Sequence, residues 1–349
     1  MHIAFYAPLK SPDHPVPSGD RAMARLLMQA LRLAGHRVSL VSQMRVFLRE
    51  PVGLDQAMAL ADEEWARIVA TWDAPDLFLC YHPYYKSPDL LGPVLCRDYD
   101  LPYVTIEASW SQRRNQGDWA RTQELVAAGV RQAALNISMT GRDALGLQAL
   151  GVCAMRLPPF IDTAPFGAKA MPEPGHFVTA AMMRPGDKLS SYAALAAALR
   201  RVSGNWRLSI AGDGPARDQV QALFADMGNV RFLGQLAQPE LAALYRSGWA
   251  YLWPGHAEAY GLAALEAQAA GLPVISEATA GVPEVVQDGI TGLLTPERDV
   301  DAYAQAITRM LTDADMRDRL AGAARRFVQG ERDLAAAAAR LDGLLRGVR

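Results

Sequence analysis

Two glutamates on either side of a glycine are the residues of this 349-residue sequence best placed for ligand chemistry. Glu258 lies in the loop after a predicted strand, and Glu266 lies more than one turn into a helix predicted to begin near Gly261. The start of that helix offers unpaired backbone N–H groups beside the positive end of the helix dipole, those of Tyr260, Gly261 and Leu262. Such an end binds phosphate, and carboxylates accept hydrogen bonds from sugar hydroxyls. The segment therefore predicts a sugar-nucleotide site; the alternative is a capped helix with two solvated glutamates.

The spacing of these glutamates resembles the E-x7-E signature of the family 4 glycosyltransferases. Those enzymes are retaining, depend on nucleotide sugars and have the GT-B fold. The resemblance is tight in the second half of the chain and loose in the first. Its further segments are Leu157–Asp162, Ala211–Pro215, Gly271–Val274, Ala280–Glu284 and Asp288–Leu294. It implies an α/β protein of the GT-B class, with two doubly wound Rossmann-like domains facing each other across a cleft.

The resemblance also implies roles for the residues of the donor site. Glu266 would hold the ribose of the donor nucleotide, and Glu258 would contact hydroxyls of the transferred sugar. The backbone of residues 260–262 would hold the diphosphate. The family places an arginine and a lysine after the first strand of the second domain, where they neutralise the leaving diphosphate. Arg184 and Lys188 stand there, at a shorter interval than the family pattern, and a cation in that place stabilises charge that grows as the glycosidic bond breaks.

Three glycines complete the predicted donor contacts. Gly212 and Gly214 follow a predicted strand, but Arg217 occupies the place of the third glycine of a dinucleotide fingerprint. This turn is predicted to lie near the nucleotide, or to be a plain structural turn. Gly19 stands where the family has two adjacent glycines in a loop that closes over the diphosphate and the acceptor. Asp20 follows it here, and a simple turn before a helix is the alternative.

Polar residues at the ends of two strands of the first half are further catalytic candidates. His82 and Glu107 end the third and fourth predicted strands, and the carboxyl ends of parallel strands are where open sheets bind ligands. A structural role is the alternative for His82. At the position of Glu107 the family often carries a histidine close to the reacting sugar. The sequence Asp98-Tyr99-Asp100 spells a DxD metal motif, but it precedes a strand. We therefore predict that no metal and no other cofactor is required.

The elements that must position these residues follow an alternating strand–helix rhythm, which is typical of parallel sheets. The predicted strands are His2–Tyr6, Val38–Val41, Leu77–Cys80, Tyr103–Ile106, Leu135–Ser138, Phe177–Ala181, Arg207–Ala211, Val230–Leu233, Ala250–Trp253 and Pro273–Ser276. The rhythm breaks at a proline-rich linker, Leu157–Gly175. We predict an acceptor domain over residues 1–165, a donor domain over 166–330, and a C-terminal helix over 331–349 that packs back toward the first domain.

Composition and charge limit the binding partners and the cellular compartment that we expect for this protein. The net charge of −2 argues against a nucleic-acid binder. Three cysteines without metal spacing, and the lack of a signal peptide or a long apolar span, predict a cytoplasmic protein. The stretch Arg21–Arg49 carries six arginines and no acid. It predicts either a core helix with a solvated basic face or peripheral contact with an anionic membrane, at its inner face.

Together these features predict a hexosyltransferase. It would move a hexose, with retention, from a UDP-, GDP- or ADP-sugar to a hydroxyl of a lipid, a lipid-linked or a saccharide acceptor. One alternative is a sugar-nucleotide epimerase on the same fold, for which the sequence offers no obvious acid/base set. The other is a non-catalytic sugar-nucleotide-binding paralogue, against which Lys188, Glu258 and Glu266 argue.

Overall fold

The computed structural model describes residues 1–348, and this chain divides into two compact units. The first unit comprises Met1–Pro158 together with the residues from Leu334 onward, and the second comprises Pro159–Asp333. The boundary lies at the beginning of the predicted linker rather than at residue 165. The reason is that Phe160 and Phe166 are fully buried, so the linker packs as part of the second unit.

The first unit is built on a six-stranded parallel sheet in the order β2-β1-β3-β4-β5-β6. Its strands are β1 (His2–Tyr6), β2 (Arg37–Leu40), β3 (Leu77–Tyr81), β4 (Tyr103–Ile106), β5 (Leu135–Ser138) and β6 (Met155–Arg156). Its helices are α1 (Gly19–Leu33), α2 (Leu54–Ala70), α3 (Gly92–Asp98), α4 (Ala120–Gln132), α5 (Gly141–Gln148) and α12 (Leu334–Leu345). The short strand β6 was not predicted, because two residues carry no periodicity.

The second unit has its own six-stranded parallel sheet, in the order β12-β11-β10-β7-β8-β9. Its strands are β7 (His176–Ala180), β8 (Arg207–Ala211), β9 (Val230–Gly234), β10 (Ala250–Leu252), β11 (Val274–Glu277) and β12 (Gly292–Thr295). Its helices are α6 (Asp187–Leu199), α7 (Arg217–Leu223), α8 (Gln238–Ser247), α9 (Leu262–Ala269), α10 (Val300–Thr312) and α11 (Ala314–Glu331).

The strands of both sheets are apolar because helices cover the sheet faces. Phe5, Phe78 and Phe177 are among the fully buried side chains. Helix α1 buries Met23, Leu27 and Leu31, as expected of a core helix, and packs against α12. The C-terminal helix is further fixed to the first unit by Arg340, whose Nε donates to the carbonyl oxygen of Arg156 at 2.8 Å.

Strand order determines where each sheet presents its loops. In the first sheet the order reverses between β1 and β3, and in the second it reverses between β7 and β10. The loops that leave such a pair run to opposite sides, and ligands of open α/β sheets bind in the crevice that this opens. The loop after β7 carries Arg184 and leads to Lys188, and the loop after β10 carries Glu258. These three predicted donor residues therefore lie at the switch point of the second sheet, whereas Gly212 and Gly214 follow β8 and Gly19 belongs to the first unit.

Candidate active site

The candidate residues form two groups, one in each unit. In the second unit, the loops after β7 and β10 bring together a lysine and a glutamate that are 70 residues apart in sequence. The Lys188 ammonium donates to Oε2 of Glu258, and both side chains are about a quarter exposed (27% and 21%). The indole N–H of Trp253 donates to the same oxygen at 3.2 Å, and the Lys188 nitrogen lies 5.3 Å from the centre of that indole ring. The free protein thus holds this cation and this carboxylate against each other.

Glu266 lies in helix α9 and differs from Glu258 in having no partner. Its side chain is half-buried, and no hydrogen bond or ion pair to it occurs among residues 1–348. Removal from water raises the pKa of this carboxyl to about 7. A half-buried carboxyl without a donor is costly unless a ligand supplies one. Glu266 is therefore poised to accept hydrogen bonds from an incoming hydroxyl.

The start of α9 supplies backbone donors beside this carboxyl. Gly261 adopts a left-handed conformation (φ 83°, ψ 76°) and precedes the first residue of the helix. The N–H groups of Gly261 and Leu262 donate to no acceptor among residues 1–348. Tyr260, in contrast, is buried and has contacts of its own. The two free donors lie at the positive end of the helix dipole, an arrangement that attracts a phosphate.

Arg184 adds a second cation near the beginning of α6. Its side chain is half-buried, and it forms no ion pair with a carboxylate in the part of the chain that the structure describes. In the ligand-free protein the two cations therefore differ: Lys188 is paired with a carboxylate, and Arg184 is available to an anion. Arg184 lies in the loop before α6, and Lys188 is the second residue of that helix.

Gly212 and Gly214 form the turn after β8, and they lie against the loop after β7. Both have positive φ angles (137° and 151°), and a Cβ atom at either would collide with a backbone carbonyl oxygen, that of Ala181 or of Met183. Their N–H groups donate within the chain, to Gly234 and to the Asp213 carboxylate. The absence of side chains at these glycines lets the two loops pack closely. In the ligand-free protein the N–H groups of Gly212 and Gly214 are both used within the chain and are not available to a ligand.

In the first unit, the switch point between β1 and β3 brings His82 to Asp20. The Nδ1 atom of His82 lies 3.2 Å from Oδ1 of Asp20. His82 and Glu107, at the ends of β3 and β4, both have left-handed backbones (φ 61° and 59°). Such angles are uncommon for residues other than glycine and gather at functional sites. Glu107 is buried and has contacts of its own.

Charge determines the protonation of this second group. Burial lowers the pKa of His82, but the negative charges of Glu107 and Asp20 outweigh burial and raise it to about 9. Burial raises the pKa of Glu107 to about 7, against the opposing charge of His82. Burial also acts to raise the pKa of Asp20, but its hydrogen bond to His82 holds that pKa below the usual value. At neutral pH His82 is a cation bonded to the Asp20 carboxylate.

Gly19 is the first residue of α1, directly after the capping residue Ser18. A side chain at Gly19 would meet no atom within 4 Å, so this position is open. The Ser18 hydroxyl accepts from the N–H of Arg21, and Asp20 turns toward His82. Gly19 therefore lies beside the His82 group, at the open start of the helix.

The DxD segment lies at the other edge of the same sheet. Asp98 ends α3, and Asp100 precedes β4, so both lie at the amino ends of the strands. Among residues 1–348, no three His, Cys, Asp or Glu side chains are grouped as a metal site would require. No residue of this segment joins either candidate group.

Sequence reasoning missed the partners of several site residues. Asp20 was noted only as the neighbour of Gly19, and Trp253 only as the end of a strand. Nor was His256 singled out, although it lies two residues before Glu258 and is almost fully buried. The only sequence signal for His256 is its place inside the motif segment. Its hydrogen-bond partners lie far away in sequence, so no periodic pattern reveals them.

Comparison with known proteins relates the second unit to sugar transfer. Residues 188–327 match the family described as glycosyl transferases group 1. The D-inositol 3-phosphate glycosyltransferase of Frankia alni is 44% identical over 110 residues, which are 31% of this chain and 27% of that protein. The sulfoquinovosyl transferase SQD2 of Arabidopsis thaliana is 35% identical over 122 residues, 34% of this chain and 24% of that protein. The matched part thus spans about a quarter of these relatives.

Solved structures resemble the whole chain. Sucrose-phosphate synthase from Thermosynechococcus elongatus superposes with a TM-score of 0.77 at 19% identity, covering 99% of this chain and 98% of that one. Anabaena HepE in complex with UDP superposes with a TM-score of 0.78 at 16% identity, covering 99% and 100%. At such identities the likeness concerns the fold. The predicted GT-B α/β class, with two doubly wound parallel sheets, is confirmed.

The charges around His82 lead to a measurable titration. We expect an imidazole pKa near 9 in the folded protein, followed by NMR of the ring, and a lower value in Asp20→Asn, because the carboxylate charge is lost. Since this pKa is raised from 6.5, the stability contributed by His82 is fully present below about pH 6.5 and is lost as the pH rises through about 9. An unchanged pKa in Asp20→Asn would contradict the pairing. His14, a half-exposed histidine of the same unit, serves as the reference resonance.

Proposed function

We propose that the protein is a retaining glycosyltransferase of the family 4 type. It moves a hexose from a nucleoside-diphosphate sugar to a hydroxyl of a lipid, a lipid-linked or a saccharide acceptor. The observation that carries the proposal is the arrangement at the switch point of the second sheet. There the Lys188–Glu258 pair precedes helix α9, which begins with free N–H groups at Gly261 and Leu262. Glu266, whose carboxyl has no partner among residues 1–348, lies one turn into the same helix.

Each part of a nucleotide sugar has a complementary group in this arrangement. The ribose hydroxyls are donors that Glu266 accepts from, and the diphosphate matches the N–H groups of Gly261 and Leu262. Hydroxyls of the hexose take the place of the Lys188 ammonium as hydrogen-bond donors to the Glu258 carboxylate. The displaced lysine then pairs with phosphate oxygens. The name of a structural neighbour, HepE in complex with UDP-glucose, supports a donor of this class.

Bond cleavage in the donor transfers negative charge to the leaving diphosphate. Lys188 and Arg184 stabilise that charge more strongly in the transition state than in the ground state, which accelerates the reaction rather than only tightening binding. The acceptor hydroxyl attacks the anomeric carbon from the face that the diphosphate leaves. Its proton passes to a leaving phosphate oxygen, so the anomeric configuration is retained. These cations and the helix start supply the electrostatics, and no metal is required.

The His82 group of the first unit is proposed to bind and orient the acceptor hydroxyl. At neutral pH its cationic imidazole can donate a hydrogen bond to that oxygen. Glu107, with a pKa raised to about 7, can accept one in its ionised form. Gly19 leaves room beside them at the start of α1. These residues position the nucleophile, while the phosphate takes its proton.

We propose that the part of the arginine-rich stretch that follows β2 makes the membrane contact. Arg25 and Arg32 donate to carbonyl oxygens of the first unit, and Arg37 pairs with Asp73. In the segment after β2, Arg45 donates to the carbonyl oxygen of Leu9 and lies over the ring of Phe47, while its side chain and that of Arg49 are exposed. Val52 follows, 82% exposed. Cations interleaved with exposed apolar side chains suit an anionic lipid surface.

No helix within residues 1–348 has the length and the apolar character to cross a bilayer. We propose a cytoplasmic protein that contacts the inner face of the membrane through this segment, residues 45–52. Such contact would bring a lipid or lipid-linked acceptor to the first unit.

The donor site is tested by thermal shift with UDP-glucose, GDP-mannose and ADP-glucose. A ligand at 100 times its dissociation constant adds roughly 2.7 kcal/mol of apparent stability, so the correct nucleotide separates clearly from the others. Glu266→Ala should abolish most of that shift, because the ribose loses its acceptor. Glu297→Ala, an exposed glutamate of the same unit, is the control. An unchanged shift in Glu266→Ala would show that the site is elsewhere.

The roles of the cations are tested by turnover. Lys188→Ala should lower kcat by a factor of about 100 to 1,000, as expected when one donor to a developing anion is removed. Lys169→Ala, which removes an exposed lysine of the same unit, should leave kcat unchanged. NMR of the product should show the anomeric configuration of the donor. Release of free epimerised nucleotide sugar would favour an epimerase, and binding without turnover on any acceptor would favour a non-catalytic paralogue.

Membrane contact is tested by co-sedimentation with vesicles of phosphatidylcholine, with and without phosphatidylglycerol. Binding should require the anionic lipid and weaken with salt. Each basic residue near such a surface contributes about 1 kcal/mol, so Arg45→Ala/Arg49→Ala should release most of the protein. Arg37→Ala, at the opposite end of β2, is the control. Failure to bind anionic vesicles at low salt would contradict the proposed contact.

A further inference from the structure

His256 is a buried polar residue of the second unit that the proposed reaction does not use. It lies in the loop after β10 and is 5% exposed. Its Nδ1 is 2.7 Å from the hydroxyl of Ser190, and its Nε2 is 3.2 Å from a carboxylate oxygen of Glu277. Its backbone N–H donates to the hydroxyl of Ser191 at 2.9 Å. Every polar atom of the ring is therefore engaged by another element.

The partners of His256 come from two different elements. Ser190 and Ser191 belong to the first turns of α6, and Glu277 is the last residue of β11. The Ser191 hydroxyl in turn donates to the carbonyl oxygen of Asp187, the first residue of α6. Glu277 is 1% exposed and also accepts from the N–H of Arg298 at 2.9 Å. The network therefore joins the start of α6, the loop after β10 and the end of β11.

The direction of the hydrogen bonds follows from the chemistry of the partners. A carboxylate only accepts, so Glu277 fixes a proton on Nε2 of His256. In the neutral ring Nδ1 then accepts from the Ser190 hydroxyl. Each donor faces an acceptor, and the carboxylate has two donors. A network satisfied in this way holds its elements in one arrangement, whereas a buried polar group left without its partner is costly.

The residues that this network joins are close in sequence to the donor-site pair. Ser190 follows Lys188 by two positions in α6, and His256 precedes Glu258 by two positions in its loop. Lys188 and Glu258 belong to separate elements, the first turn of α6 and the loop after β10, and the His256 network joins those same two elements. We propose that His256 is a positioning residue: with Ser190 and Glu277 it sets the spacing between Lys188 and Glu258. The proposal rests on the donor-site function given above, because it assigns that pair its role.

A second buried histidine in the same unit provides the contrast. His176 is 6% exposed and its Nε2 lies 2.9 Å from the hydroxyl of Ser209. It begins β7, so it lies at the amino end of the strand, away from the loops that carry the site. Its loss removes a buried histidine–serine bond of similar length without touching α6 or the Glu258 loop. It therefore separates a positioning role from a general loss of stability.

The experiment compares His256→Ala, His256→Gln and His176→Ala in the full chain. Amide hydrogen exchange is measured first without any ligand. We expect faster exchange over residues 187–192 and 253–262 in His256→Ala and no such change in His176→Ala. His256→Gln, which keeps one donor and one acceptor, should be intermediate. This readout does not depend on which nucleotide sugar the protein uses.

Kinetics with the most stabilising of UDP-glucose, GDP-mannose and ADP-glucose gives the second readout. Small displacements of positioned groups can lower rates by as much as a hundredfold, so we expect kcat to fall at least tenfold in His256→Ala. KM for the donor should rise less than kcat falls, and Glu277→Gln should recover part of the rate lost in Glu277→Ala. In His176→Ala we expect a lower melting temperature and an unchanged kcat.

The outcomes distinguish this inference from the proposed function. If the wild type binds none of the three nucleotide sugars, the proposed function fails, and the exchange measurement still decides whether His256 orders the two segments. If the wild type turns over and His256→Ala matches His176→Ala in both exchange and kcat, the positioning role is overturned. Faster exchange confined to the two segments, with a selective loss of kcat, supports it.

Discussion

A reversal of strand order within a parallel sheet is the constraint on which the candidate site of the second unit depends. β7 and β10 are neighbouring strands whose following connections run to opposite faces of the sheet. The loops after them therefore diverge at the carboxyl edge of the sheet. At that edge Lys188, from the first turn of α6, meets Glu258 from the loop after β10. The same reversal between β1 and β3 in the first sheet gathers Asp20 and His82. Both charged groups thus occupy the position that the topology leaves open.

The charged residues of the candidate donor site differ in whether they have a hydrogen-bond or ion-pair partner. Lys188 and Glu258 neutralise each other in the free protein, with Trp253 donating to the same carboxylate. Within residues 1–348 no donor faces the carboxyl of Glu266, and removal from water raises its pKa. A ligand that brings both hydroxyls and phosphate can satisfy all of them together. The two glutamates, one on each side of the helix start, thus have different environments: Glu258 is paired with Lys188, and the carboxyl of Glu266 has no partner among residues 1–348.

Most of the sheet strands were predictable, because a strand buried on both faces shows as a short apolar run. The strands of residues 2–6, 103–106, 135–138 and 207–211 have the predicted bounds. The exceptions have physical causes: β6 is two residues long, and β12 follows a turn segment whose glycines hide its pattern. The predicted turn at Gly212 and Gly214 is present. Its close approach to Ala181 and Met183 was not predictable, since those residues belong to a separate strand and its loop.

The sequence by itself determined the alternating strands and helices, the buried face of α1, and the positions of Glu258 and Glu266 on either side of a helix start. These are local properties, carried by periodicity and by spacings of a few residues. Only the tertiary structure decided which polar side chains pair. Asp20 pairs with His82 at a sequence separation of 62 residues, Lys188 with Glu258 at 70, and His256 with Ser190 at 66. The physical reason is that such pairs form where loops from different strands reach one edge of a sheet. Their geometry depends on strand order and packing, which no local pattern records.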